Sequence, residues 1–216
     1  MFQASSRQTR LGGALTIFEL VFHSIVRGVR KSHNNAFIAI GYNMLQVVLF
    51  VAVFYVMFTV LELRGSAVRG DFLIYVMSGI FLFMTHTKAL SAVAGAEGAT
   101  APMMQHAPMN TVVSILSAAL GSLYIQVLSA GVILFVYHVA FVPLDIDDPI
   151  GAFAMLLLAW FTGCAIGLIL LALKPWFPVF VGIFTTIYQR ANMIASGKFV
   201  LANTLPGFML AMFDWN

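Results

Sequence analysis

The sequence predicts an all-α polytopic membrane helix bundle. It would consist of an N-terminal amphipathic interfacial helix, five transmembrane helices and a C-terminal re-entrant outer segment, all in one membrane domain over 1–216. Three observations predict this. Hydrophobic residues make up 61% of the chain and charged residues 9%, with a mean hydropathy of +0.97, whereas soluble domains carry roughly 25% charged residues. Apolar stretches at roughly 36–61, 72–94, 111–140, 150–173 and 176–196 are each about as long as the ~20 residues a helix needs to cross a bilayer. Inside the bilayer every backbone group must be satisfied locally, which for such segments means helices. Too few charges remain for a sizeable water-facing domain. Most soluble enzyme classes are thereby excluded, leaving transport, scaffolding or intramembrane chemistry.

The first element, within 1–33, is read as a cytoplasmic interfacial helix. Leu11, Leu15, Phe18, Phe22, Ile25 and Val29 fall on one stripe at a 3.6-residue period, reinforced by Ala14 and Val21. Glu19, His23, Arg27 and then Arg30 or Lys31 form a polar ladder on another face. Charges every few residues prevent it from spanning, so it is expected to lie in the interface with its apolar face in the acyl boundary. A lipid anchor and a docking platform for another subunit are both open readings. Residues 1–10 are polar and basic, and Glu19, His23 and Arg27 interrupt the apolar positions after them, so no cleavable signal core is evident. The first span is expected to act as the insertion signal.

Orientation follows from the charges around the spans of 34–196. Arg7, Arg10, Arg27, Arg30 and Lys31 precede the first span, which puts the N-terminus on the cytoplasmic side. Alternation then places 62–71 outside, 95–110 inside, 141–149 outside, 174–175 inside and everything after 197 outside. Segment 62–71 is balanced in charge, 143–149 is purely acidic, and Lys174 sits in the short inner turn. Asp145, Asp147 and Asp148 lack the glycine turn and distant glutamate of a hand-type calcium loop, so a solvated outer turn is expected.

Within the spans, the lone Cys164 lies in the small-residue run Phe161–Gly167, which favours close helix packing. One cysteine also excludes a disulfide framework or a multi-cysteine metal site. Two cations fall at membrane depth, Lys88 and Arg190. Such charges are costly and mark a pathway or a partner unless they can snorkel. Lys88 is near enough to an inner helix end to snorkel. Arg190 is about six residues from the outer end of its span, so snorkelling and a polar, protein-lined site with Gln189 and Asn192 are both open readings. The tail 199–213 is apolar but too short to span, and Pro206-Gly207 interrupts it. It reads as re-entrant or interfacial, shielded by protein or lining a cavity within 197–216.

Motifs for chemistry are missing. The only Gly-Lys pair, Gly197-Lys198, is followed by Phe199 and preceded by Asn192 where a phosphate loop needs its first glycine. His23, His33, His86, His106 and His138 form no pair at i,i+4, and there is no Gly-x-Ser-x-Gly elbow. No aspartate occupies a span interior. The chain is therefore expected not to be an enzyme, to hold no cofactor or metal, and to bind no nucleic acid.

The order of parts resembles the permease subunits of ABC exporters for polysaccharides, of the capsule and O-antigen type. The resemblance rests on the basic interfacial helix, the fifth-span ending with Arg190, Ser196 and Gly197, the Leu205-Pro206 turn and the close at Trp215-Asn216. Segment 98–110 stands where that family has an inner coupling turn. The family has six spans, and its sixth would begin where this sequence stops, at Asn216. The family's third span also opens with an arginine and a glutamate, whereas Ser114–Tyr124 is uncharged here.

The resemblance implies a half-transporter in the bacterial inner membrane that moves polysaccharide or a lipid-linked glycan outward. Two copies would form the path, and a separate cytosolic nucleotide-binding ATPase would dock on 95–110 and the basic helix. His23, Arg27, Arg30, Lys31, Gln105 and His106 are the expected docking residues. Arg190, Tyr188, Trp176, Phe199 and Phe208 are the expected substrate-path residues. The alternative is a transport-inactive relative serving as a structural subunit of a larger membrane complex.

Overall fold

A computed structural model describes residues 36–60, 72–96, 111–140, 146 and 148–195, together with Glu19, Phe22 and His23. These residues form helices α1 (Ala36–Val60), α2 (Phe72–Ala94), α3 (Thr111–Ala140), α4 (Pro149–Leu173) and α5 (Pro178–Ala195). Among the described residues there is no strand. The first four helices are long and apolar enough to cross a membrane. The fifth expected span is a helix of 18 residues and is not among those four. The reason is compositional: Thr185, Thr186, Gln189, Arg190 and Asn192 make its second half polar. Most of the segment expected to form the interfacial helix, residues 97–110, and the segment expected to be re-entrant, 197–216, lie outside the described residues.

Local signals set the helix ends. Asp148 caps α4 by accepting a 2.8 Å bond from the Gly151 backbone N–H, and Pro149 takes the first helical position. Its missing N–H and fixed φ suit that position. The carboxylate expected in a solvated outer turn is thus exposed but employed as a cap. At the other end, Pro175 stops α4 and Pro178 starts α5. The turn between them is held by bonds from the Trp176 and Phe177 backbone N–H groups to Leu173 O.

Helix α2 is the hub, touching each of the other four. It runs antiparallel to α1, since Lys88 meets Gln46 while Phe83 meets Phe50. It runs parallel to α4. Gly163 lies against His86, Gly167 against Leu90, and Lys174 reaches Ala94 O. It runs antiparallel to α5, with Val181 beside Leu90 and Tyr188 at His86. The α2–α4 contact is the closest in the bundle. A Cβ at Gly167 would come within 2.8 Å of both Leu90 O and Val93 Cβ. Gly163 and Gly167 are four residues apart on one face, the spacing that lets membrane helices approach backbone to backbone. Cys164 between them is only half-buried.

Two apolar clusters fill the interior. The larger joins Val47, Met77, Ile80, Met84, Ile133 and Tyr137 across α1, α2 and α3. The smaller joins Leu90, Leu170 and Val181 across α2, α4 and α5. By contrast Leu45, Leu49, Val53 and Val56 on α1 are exposed, as suits a helix facing hydrocarbon.

Candidate polar site within the helix bundle

Polar side chains in hydrocarbon must find partners, because no water is present to take them. Here they collect on two sides of α2. Between α1 and α3, buried Asn43 donates through Nδ2 to Gln126 Oε1 at 2.5 Å and to Ser129 Oγ at 2.9 Å. Between α1 and α2, Lys88 Nζ donates to Gln46 Oε1 at 2.7 Å. The described helices contain no aspartate or glutamate. Among the described residues the Lys88 ammonium is met by an amide dipole and by no counter-charge.

The second group lies where α2, α4 and α5 converge. His86 Nδ1 is 3.0 Å from Thr162 Oγ1 on α4, and its Nε2 is 3.0 Å from the Tyr188 hydroxyl on α5. Beside it, Gln189 Nε2 donates to Ser91 Oγ at 2.7 Å. The Tyr188 ring continues a ladder along α5. It stacks on Phe184 with centroids 6.3 Å apart, and Phe184 stacks on Phe180 at 5.9 Å. The i,i+4 spacing of 180, 184 and 188 aligns the rings on one helix face. This gives aromatic faces next to hydroxyl, amide and imidazole groups on a partly exposed side of the bundle. Such a site can hold a polar, uncharged ligand or bind helix to helix.

Of the expected substrate-path residues, Tyr188 is half-buried in this group. Arg190 lies on the same helix but is exposed, and Gln189 pairs with Ser91 and not with it. Trp176 is 79% exposed in the turn before α5. It lies at the other end of the helix from Arg190, roughly 20 Å away at 1.5 Å per residue. Phe199 and Phe208 lie outside the described residues, as do Arg27, Arg30, Lys31, Gln105 and His106. His23 is exposed on a helical segment, 3.8 Å from Glu19 at i,i+4, with its ring edge-on to Phe22.

Sequence reasoning passed over His86, Thr162, Ser91, Asn43 and Gln126. A histidine or amide inside a long apolar run is itself the signal that could have found them, because each must be paired in the folded chain. No protein-family model and no characterised protein matches this chain.

Proposed function

We propose that this chain is the permease subunit of an ABC-type exporter, moving polysaccharide or a lipid-linked glycan outward across a bacterial inner membrane. In this reading α5 completes a fifth membrane segment, the N-terminus is cytoplasmic, two copies line the path, and a separate cytosolic ATPase drives the change of state. The order of sequence elements is what supports this reading. The single structural observation that supports a moving part is the contrast between tightly seated α2–α4 and lightly held α5. Interhelical hydrogen bonds in membranes average about 0.6 kcal/mol. The two that tie α5 to α2 thus fall within the ~1–3 kcal/mol typical of coupling between sites. A partner binding one arrangement better than the other has enough leverage to shift them.

A second reading, a structural subunit without transport, is supported by α3. Its 30 residues contain no Asp, Glu, Lys or Arg, and it meets α1 through a fully internal Asn43–Gln126–Ser129 arrangement. Gentle solubilisation and affinity purification of the native protein separates the two. Recovery of a nucleotide-binding ATPase, with loss of surface polymer when the chain is deleted, supports the exporter. Recovery of a large assembly lacking any ATPase, with polymer export intact, overturns it in favour of the structural subunit.

A further inference from the structure

Helix α5 meets the rest of the bundle at few described places. Val181 is buried beside Leu90 and Leu170, and Met193 rests against the larger apolar cluster. Further described attachments are Tyr188 on His86, the Tyr188 ring against the smaller apolar cluster, and Gln189 on Ser91. Val179, Phe180, Ile183 and Ile187 are all exposed. The α2–α4 pair is the opposite case, with Ala89, Leu90 and Val93 at 0% exposure.

His86 is bonded on both ring edges, to Thr162 Oγ1 at 3.0 Å and to the Tyr188 hydroxyl at 3.0 Å, and which nitrogen donates depends on the tautomer. With the Thr162 hydroxyl hydrogen on Ala159 O, 3.0 Å away, Nδ1 donates and Nε2 accepts from Tyr188; with that hydrogen on Nδ1, both bonds reverse. In either tautomer one chain of bonds links α5, α2 and α4. A neutral imidazole offers one donor and one acceptor on opposite edges of a rigid ring. Its own backbone is pinned, because His86 O presses on Gly163.

We propose that His86 is a latch: mounted on the rigid α2–α4 pair, it closes on Tyr188 and holds α5 against the bundle. The Pro175–Pro178 turn serves as the hinge. Releasing one hydroxyl–imidazole bond leaves, among the described ties between α5 and the rest, the Gln189–Ser91 bond, the packing of Val181 and the Tyr188 ring on Leu90 and Leu170, and the Met193 contact. The device does not depend on what, if anything, is transported.

Spin labels in a Cys164→Ser background, with the full chain in lipid nanodiscs, test this. One pair joins α4 to α5 through Phe161→Cys and Ile187→Cys, both exposed positions. The control pair joins α2 to α4 through Tyr75→Cys and Phe153→Cys, also exposed. His86→Leu is expected to lengthen and broaden the α4–α5 distance by several ångström while the α2–α4 distance stays fixed. Tyr188→Phe alone should do the same, and the double variant should go no further than either single one. An unchanged α4–α5 distance in His86→Leu overturns the latch. So do effects of the two substitutions that simply add, which would mean they act separately. Movement of both pairs overturns it too, since His86 would then support the whole bundle.

Discussion

The backbone oxygen of His86 lies so close over Gly163 that a Cβ placed there would approach it to 2.3 Å. The same residue therefore joins α2 to α4 through its main chain and its ring, and α2 to α5 through its ring alone. Gly163→Val should force α2 and α4 apart, at a cost of about 1–3 kcal/mol for an overpacked contact. Gly182→Ala on α5, where nothing lies within 4 Å of the added carbon, should be near neutral. Thermal unfolding of the two variants in matched micelles reads the difference, and equal midpoints would show that the α2–α4 seam is not the tight contact described.

A second expectation concerns Asn43, which is 5% exposed and serves two acceptors on α3. Asn43→Ala strips partners from Gln126 and Ser129 together, and should cost on the order of 1 kcal/mol. Ser117→Ala is the contrast, because Ser117 Oγ bonds only to Ser114 O of its own helix. Denaturant titration of both variants should place Asn43→Ala clearly lower. If Ser117→Ala cost as much, the interhelical bond would not be the cause.

The positions of these helices were legible in the sequence, and the chemistry between them was not. Apolar runs at 36–61, 72–94, 111–140 and 150–173 gave helix bounds within a residue or so, because lipid leaves the backbone no alternative to a helix. The Phe161–Gly167 run likewise announced a close contact. His86 escaped notice because local spacing was searched for its partners. They lie 76 and 102 positions away and meet it only when three helices assemble. Lys88 was read as free to snorkel, yet its ammonium turns to Gln46, 42 positions away on α1. Sequence periodicity reports the face of one helix; it carries no information on which neighbour covers that face.

The cap on α4 gives a third test. Asp148→Ala removes the acceptor for Gly151 N–H and should cost about 1 kcal/mol, whereas Asp148→Asn should cost little. Amide hydrogen exchange at 150–152 is the direct measure. Chelating calcium should change nothing if the carboxylate is a cap and not an ion ligand. Slower exchange in Asp148→Ala than in the native chain would contradict the assignment.

Orientation can be read by single cysteines in a Cys164→Ser background. The exposed Ile146 precedes α4 beside the acidic Asp145, Asp147 and Asp148, and Arg30 belongs to the basic cluster before α1. An impermeant thiol reagent on intact cells should label Ile146→Cys and spare Arg30→Cys, as positive-inside retention requires. The reverse pattern would invert every loop assignment at once.

Arg190 carries the last expectation. It is two residues beyond Tyr188, about 200° around the helix at 3.6 residues per turn, so it points away from the face that meets His86. Its height differs from that of Tyr188 by only ~3 Å, and the helix continues about 7–8 Å further to Ala195. The described helices supply two cations, Lys88 and Arg190, and no anion. A guanidinium keeps its charge and offers five donors in a planar fork, so it calls for an acceptor from beyond the described helices, whether a ligand, a lipid phosphate, another subunit or another segment of this chain. Losing such a charge-assisted contact costs about 1.5–3 kcal/mol, roughly ten- to a hundredfold in the affinity or activity that depends on it. Arg190→Leu should therefore fold at least as well as the native chain, having lost a costly charge, yet fail in polymer export or in retention within its complex. Arg190→Lys keeps the charge without the fork and should be impaired to a lesser degree. Comparing yield, melting midpoint and export for the three proteins separates the roles. Native export and complex retention in Arg190→Leu would make the residue a bystander, and a fall in yield matching the fall in export would make it merely structural.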